Sequence, residues 1–129
     1  MILDTDLLIA LMQGKKDANK TMQCLEEKND RIATTVISAY ELFKGADISS
    51  KPERNLTKTK NLLSSIEILG LTLQACQEAS DIYREMRSGG CLIGEFDVLI
   101  AAIAKTNCEA ILTRDKHFKN VKGLNVANW

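Results

Sequence analysis

The chain has 129 residues, 45% of them hydrophobic, which is enough for one ordinary core and too little for two. Lys plus Arg and Asp plus Glu both total 17, so there is no global basic excess of the kind that marks non-specific nucleic-acid or membrane binding, and any contact with a polyanion has to be local. The single histidine, His117, excludes chemistry that needs several imidazoles, and no stretch approaches the roughly 20 apolar residues of a membrane-spanning helix.

Short apolar runs alternate with longer stretches of helical period, the pattern of a parallel sheet covered by helices on both faces, so the expected class is α/β. Residues 1–129 are expected to form one domain. The first strand is predicted over residues 1–3 and carries Asp4 at its carboxyl end. Asp4 and Asp6 interrupt the opening apolar run and no basic segment precedes it, which is unlike a signal peptide; the expected compartment is the cytoplasm.

Ala18, Met22 and Leu25 then form a helical stripe, followed by a strand over 31–35. A second stripe, Val36, Ala39, Tyr40 and Phe43, is expected to face the sheet, with Glu41 one to two turns into that helix. The sole proline, Pro52, sits in a polar break, read as the turn of a helical hairpin whose second arm runs to about Ser65. A strand over 66–69 and a third stripe, Ala75, Ala79, Ile82, Tyr83 and Met86, come next. Gly89, Gly90 and Gly94 mark a turn or a mobile substrate loop before a helix over 94–105. That helix is apolar on nearly every side after Phe96, apart from Asp97. Strands over 110–113 and 124–127 close the chain, the former leading into Asp115. Cys24, Cys76, Cys91 and Cys108 show no metal or redox spacing and are expected to be buried, reduced thiols.

In open α/β sheets ligands bind beyond the carboxyl ends of the strands, where strand order reverses, so the acids that follow strands are the first candidates for function. Asp4 and Asp115 both follow strands and converge if those strands are parallel. Glu41 can lean over the same edge. Asp97 stands in the first turn of its helix, where the helix dipole also offers a purely structural reason for an acid. Four carboxylates close together repel one another unless a cation is present, and carboxylates without histidines suit Mg²⁺ or Mn²⁺, which prefer oxygen ligands and phosphoryl chemistry.

The residues that carry these acids also carry a family resemblance. Leu3-Asp-Thr-Asp-Leu-Leu-Ile9, Ser38-Ala-Tyr-Glu-Leu-Phe-Lys-Gly45, Ile93-Gly-Glu-Phe-Asp-Val-Leu-Ile-Ala-Ala102 and Leu112-Thr-Arg-Asp-Lys-His-Phe118 resemble, in order and spacing, the four signature blocks of PIN domains, most closely those of VapC-type toxins. The resemblance implies a three-layer fold with about five short parallel strands. It implies a metal-dependent ribonuclease, the toxin of a toxin–antitoxin pair, that cuts RNA to leave 5′-phosphate and 3′-hydroxyl ends. Asp4, Glu41, Asp97 and Asp115 would be the catalytic, metal-binding acids, with Thr5, Asp6 and Thr113 supporting them or touching substrate. A small antitoxin and a second copy of the chain are the implied partners. Where the family often has a further acid, two residues after the fourth, this chain has His117, which bears on a second metal site and could instead meet an RNA phosphate.

Arg114, Lys116, His117, Lys119 and Lys122 crowd the end of the fourth strand and read either as a cationic rim for the RNA backbone or as an ordinary solvated loop. Two other readings stand beside the nuclease. Apolar-Asp4-Thr5-Asp6 also resembles the nucleophile motif of haloacid-dehalogenase phosphatases, whose later motifs are missing here. The fold could also serve as a non-catalytic RNA- or partner-binding module.

Overall fold

Parallel pairing joins five strands of only two or three residues into one sheet, β1 (Ile2–Leu3), β2 (Ala33–Thr35), β3 (Glu67–Leu69), β4 (Ile111–Leu112) and β5 (Val126–Ala127), in the order β3-β2-β1-β4-β5. The computed structural model describes all residues from Met1 to Trp129. Between the strands lie six helices: α1 (Thr5–Met12), α2 (Lys16–Glu27), α3 (Val36–Asp47), α4 (Pro52–Ser64), α5 (Leu73–Ser88) and α6 (Glu95–Thr106). A 3₁₀ helix spans Lys116–Asn120.

Such short strands hold because successive side chains point to opposite faces and both faces are covered. Ile2 and Ile111 pack with Ala33, the buried residues of α5 and α6, and Phe118. Their neighbours Leu3 and Leu112 pack on the other side with Leu7, Leu8, Leu25 and Leu42. The result is the three-layer α/β arrangement expected from the sequence. The register sets Ile2 beside both Ala33 and Ile111, and Leu3 beside Leu112. Helix α6 is buried along Val98 and from Ile100 to Ala104, in keeping with its apolar sequence. Pro52 opens α4 at its first turn, where a missing N–H costs nothing, and α4 folds back on α3 as a hairpin.

A recurring device links strand to helix. Asp4 after β1, Thr35 at the end of β2, Thr72 after β3 and Asp115 after β4 each accept a backbone N–H from the helix that follows. Each cap satisfies an orphan donor and turns the chain abruptly out of the sheet. Thr72 accepts from the Ala75 amide at 3.1 Å, so Thr72→Ala is expected to lower stability by about 1 kcal/mol in a urea or thermal melt.

Several sequence expectations need correction. All four cysteines are free, but all are exposed rather than buried. Cys24 and Cys76 directly adjoin the buried Leu25 and Ala75, so the helical turn of about 100° per residue carries them off the core face. The α3 stripe is also displaced. Ser38, Ala39, Leu42 and Ala46 are the buried positions, while Val36 and Tyr40 are exposed and Phe43 is half-buried. The Thr35 cap, whose hydroxyl meets both the Ser38 amide and the Ser38 hydroxyl, fixes that rotation. Tyr83 likewise lies at the surface of α5. Helix α1 was not anticipated, because its residues Leu7, Leu8 and Ala10 extend the apolar run of β1.

Candidate active site

Strand order reverses between β1 and β4, which lie side by side although far apart in sequence, with β2 and β3 on one flank and β5 on the other. Such a reversal opens a crevice at the carboxyl edge of the sheet. A cleft of about 90 Å³ is found there, lined by Asp4, Thr5, Asp6, Glu41, Asp97, Ile100, Asp115 and Phe118. Five acids thus share one small opening: Asp4 from the β1–α1 junction, Asp6 from α1, Glu41 from α3, Asp97 from α6 and Asp115 from the β4–3₁₀ junction.

Local structure holds each of them differently. Asp4 is buried, and its Oδ1 accepts the Leu7 amide at 2.8 Å. Asp115 repeats the arrangement, with Oδ1 accepting the His117 amide at 2.8 Å. One carboxylate oxygen of each therefore serves the cap, and the Asp4 carboxyl takes a further hydrogen bond from the Thr113 side chain. Glu41 Oε2 accepts the Thr5 hydroxyl at 2.6 Å, so α1 orients an acid carried by α3. Asp97 stands in the first turn of α6 behind Gly94, where a Cβ would come within 3.4 Å of its Oδ2.

Burial is the main reason that the Asp4 carboxyl titrates above its ordinary range; hydrogen bonding from the Thr113 side chain and the Leu7 amide works against it, and Asp6 and Asp115 add smaller repulsions. Asp97 is likewise raised, first by burial and then by the charges of Asp115 and Glu41, with His117 pulling the other way. Two of the five acids are thus held where negative charge is unfavourable, and mutual repulsion contributes at both.

The donor set is all oxygen, which suits a hard divalent cation. No three acidic, histidine or cysteine side chains stand close enough to enclose an ion as placed. A cation that keeps most of its own water and touches one or two carboxylates needs no such cage, so the residues fit one in chemistry.

Of the other expected residues, Thr5 and Asp6 line the cleft. Thr113 is buried beneath it and its hydroxyl accepts the Asp115 amide at 2.9 Å. Lys116, His117 and Lys119 are exposed, and His117 Nδ1 lies 3.0 Å from Asp115 Oδ1. Arg114 is drawn away from the rim. Its guanidinium pairs with Asp17 at 2.6 Å, donates to the Trp129 carbonyl at 2.6 Å and stacks 3.7 Å from the centroid of the Trp129 ring. Lys122 borders a different cavity, beside Glu85 and Cys91. Gly90 has φ +70°, as a turn after α5 requires.

Ile100 and Phe118 were not singled out from the sequence. The signal was spacing: each lies three residues after an acid of the cleft, one turn along a helix.

Comparison with known proteins gives a consistent set of matches. The PIN domain family model matches residues 1–124. Ribonuclease VapC2 of Rickettsia felis is 30% identical over 129 residues, covering 99% of this chain and 96% of that protein. The tRNA(fMet)-specific endonuclease VapC of Salmonella typhimurium is 27% identical over the same coverage. Among solved structures, VapBC2 from Rickettsia felis bound to a DNA fragment from their promoter superposes with a TM-score of 0.92 at 28% identity, covering 99% of this chain and 97% of that one. DNA-bound VapBC from Salmonella typhimurium gives 0.91 at 26% identity, covering 99% and 96%.

Proposed function

The chain belongs to the PIN-domain family, within its VapC group, and on that footing we propose that it is a ribonuclease toxin that hydrolyses RNA phosphodiester bonds with Mg²⁺ or Mn²⁺ held among Asp4, Glu41, Asp97 and Asp115. The observation that carries this reading is the gathering of those four acids, each from a different element, in one cleft at the reversal of strand order. Residues 1–129 act as one catalytic domain. Family membership sets aside the phosphatase alternative.

When bound, a divalent cation supplies Lewis-acid polarisation of the phosphodiester and acidifies water at the site. The chain's own residues do the positioning. The Leu7 and His117 amides fix Asp4 and Asp115, and the Thr5 hydroxyl fixes Glu41, so the acids need little rearrangement as charge develops. Ile100 and Phe118 give the cleft an apolar wall that limits water. Lys116 and His117, exposed at the same edge, are placed to meet phosphate oxygens.

The proposed partners are a small antitoxin and a second copy of the chain. A cavity of about 310 Å³ between α1, α3 and α4, with Ile9, Met12, Leu42 and Ala46 among its lining beside Asn55, Lys58 and Thr59, shares Glu41 with the acid cleft, so a partner segment seated there would reach the site directly.

Purified protein, stripped of any antitoxin, is expected to cleave single-stranded RNA with Mg²⁺ or Mn²⁺ and to stop when EDTA is added. Full activity after exhaustive chelation would overturn the mechanism. Absence of cleavage under every metal tested, with RNA binding retained, would favour the non-catalytic module instead.

A further inference from the structure

Two aromatic side chains directly precede two of the acids and lie at the surface: Tyr40, before Glu41 on α3, is 52% exposed, and Phe96, before Asp97 on α6, is 37% exposed. Their rings meet edge to face, with centroids 5.7 Å apart and planes at 88°. Lys44, one turn beyond Tyr40, holds its Nζ 5.4 Å from the centroid of each ring. Its ammonium forms no ion pair with any carboxylate.

The core does not require this cluster. Helix α3 is seated on the sheet through Ser38, Ala39, Leu42 and Ala46, and Tyr40 projects from another face. An edge-to-face pair has few ways to move, because each ring limits the rotamers of the other. It therefore forms a pre-set aromatic surface with the Lys44 ammonium, paired with no carboxylate, over a face of each ring.

Beyond Lys116 and His117, RNA affinity is weakly supplied. Net charge is zero, the cleft itself is acidic, and Arg114 is committed to Asp17 and Trp129. Stacking of bases on aromatic rings provides affinity that depends little on net charge, and a neighbouring ammonium can take the adjoining phosphate.

We infer that Tyr40 and Phe96, with Lys44, form a platform on which one nucleobase next to the scissile phosphate stacks. The inference rests on the ribonuclease reading above and sharpens its substrate class. The RNA must offer an unstacked base at that position, as a single-stranded segment or loop does and a continuous A-form duplex does not.

The test is steady-state cleavage of a short single-stranded oligoribonucleotide by the parent, Tyr40→Ala and Tyr40→Phe. The same oligonucleotide is also used with one abasic nucleotide at successive positions. Tyr40→Ala is expected to raise KM about 5- to 100-fold with kcat little changed, while Tyr40→Phe stays near the parent. One abasic position should raise KM for the parent by a similar factor and have no further effect on Tyr40→Ala. Because Tyr40 is exposed, both variants should fold, which circular dichroism checks. An unchanged KM for Tyr40→Ala overturns the inference while leaving the ribonuclease reading intact. A changed sedimentation coefficient for Tyr40→Ala also overturns it, by placing the ring between two copies of the chain. Failure of the parent to cleave any RNA overturns the ribonuclease reading, and the inference with it.

Discussion

Asp97→Asn is expected to lower the rate of RNA cleavage by about a hundredfold to a thousandfold while leaving the circular dichroism spectrum unchanged. The loss is large because an amide brings no negative charge to a cation, and a group acting on the transition state in a dry site is commonly worth about 10²–10³ in kcat on its own. The fold survives because Asp97 makes no cap bond: Gly94 is the cap residue of α6, and Asn is tolerated at helix starts. Cleavage kinetics on one RNA with saturating Mg²⁺ decide the matter. Parental turnover in the variant would remove Asp97 from the site.

The second large effect appears in stability. Burial and the charges of Asp115 and Glu41 hold the Asp97 carboxyl above its ordinary value of 3.8. Below that value Asp97 is protonated in both states and exerts no penalty. As pH rises the unfolded chain releases its proton first, so the metal-free protein loses stability from near 3.8 up through the raised folded value. The full penalty persists at neutral pH. Asp4 is raised for the same leading reason and adds to the decline in the same direction.

Asn at position 97 removes one share of that penalty, and it forgoes a favourable first-turn interaction worth about 0.3–1 kcal/mol. The balance favours the variant, because the aspartate it replaces carries both the burial penalty and the repulsion of neighbouring carboxylates. In EDTA at neutral pH Asp97→Asn should therefore melt higher than the parent. Magnesium reverses the order. At one hundred times its Kd it adds about 2.7 kcal/mol to the parent and much less to a variant that has lost a ligand. Four melting curves, with and without Mg²⁺, test the crossover. A variant that melts lower in EDTA and gains as much from Mg²⁺ would make Asp97 a helix-start acid only.

These expectations could be framed from the sequence because the strands announce themselves. Ile2–Leu3 and Ile111–Leu112 are short apolar runs; Asp4 directly follows the first and Asp115 comes shortly after the second, and each caps the turn that comes next. Parallel pairing then carries Asp4 and Asp115 to one edge without further information. The position of Glu41 was harder to see, since it depends on how α3 rotates about its axis. The Thr35–Ser38 cap sets that rotation, and hydrophobic spacing alone misjudged it at Val36 and Tyr40.

Side-chain commitments over long sequence separations were out of reach. Arg114 reads as part of a basic cluster, yet Asp17 and Trp129, brought near it by the fold, occupy its guanidinium. The cysteines failed for a different reason. Composition treats them as small hydrophobes, whereas each here lies on a solvent-facing side of its helix or in a turn.

The two capped aspartates have a practical consequence for watching the cleft in solution. The Leu7 and His117 amide protons each point at one oxygen of a cleft carboxylate. A cation that draws charge off the carboxylate weakens the hydrogen bond to the amide, and the chemical shift of an amide proton follows the strength of its bond. Leu7 and His117 are thus built-in NMR reporters, one for each aspartate, and a titration that moves one cross-peak before the other would reveal which aspartate an arriving ion engages first.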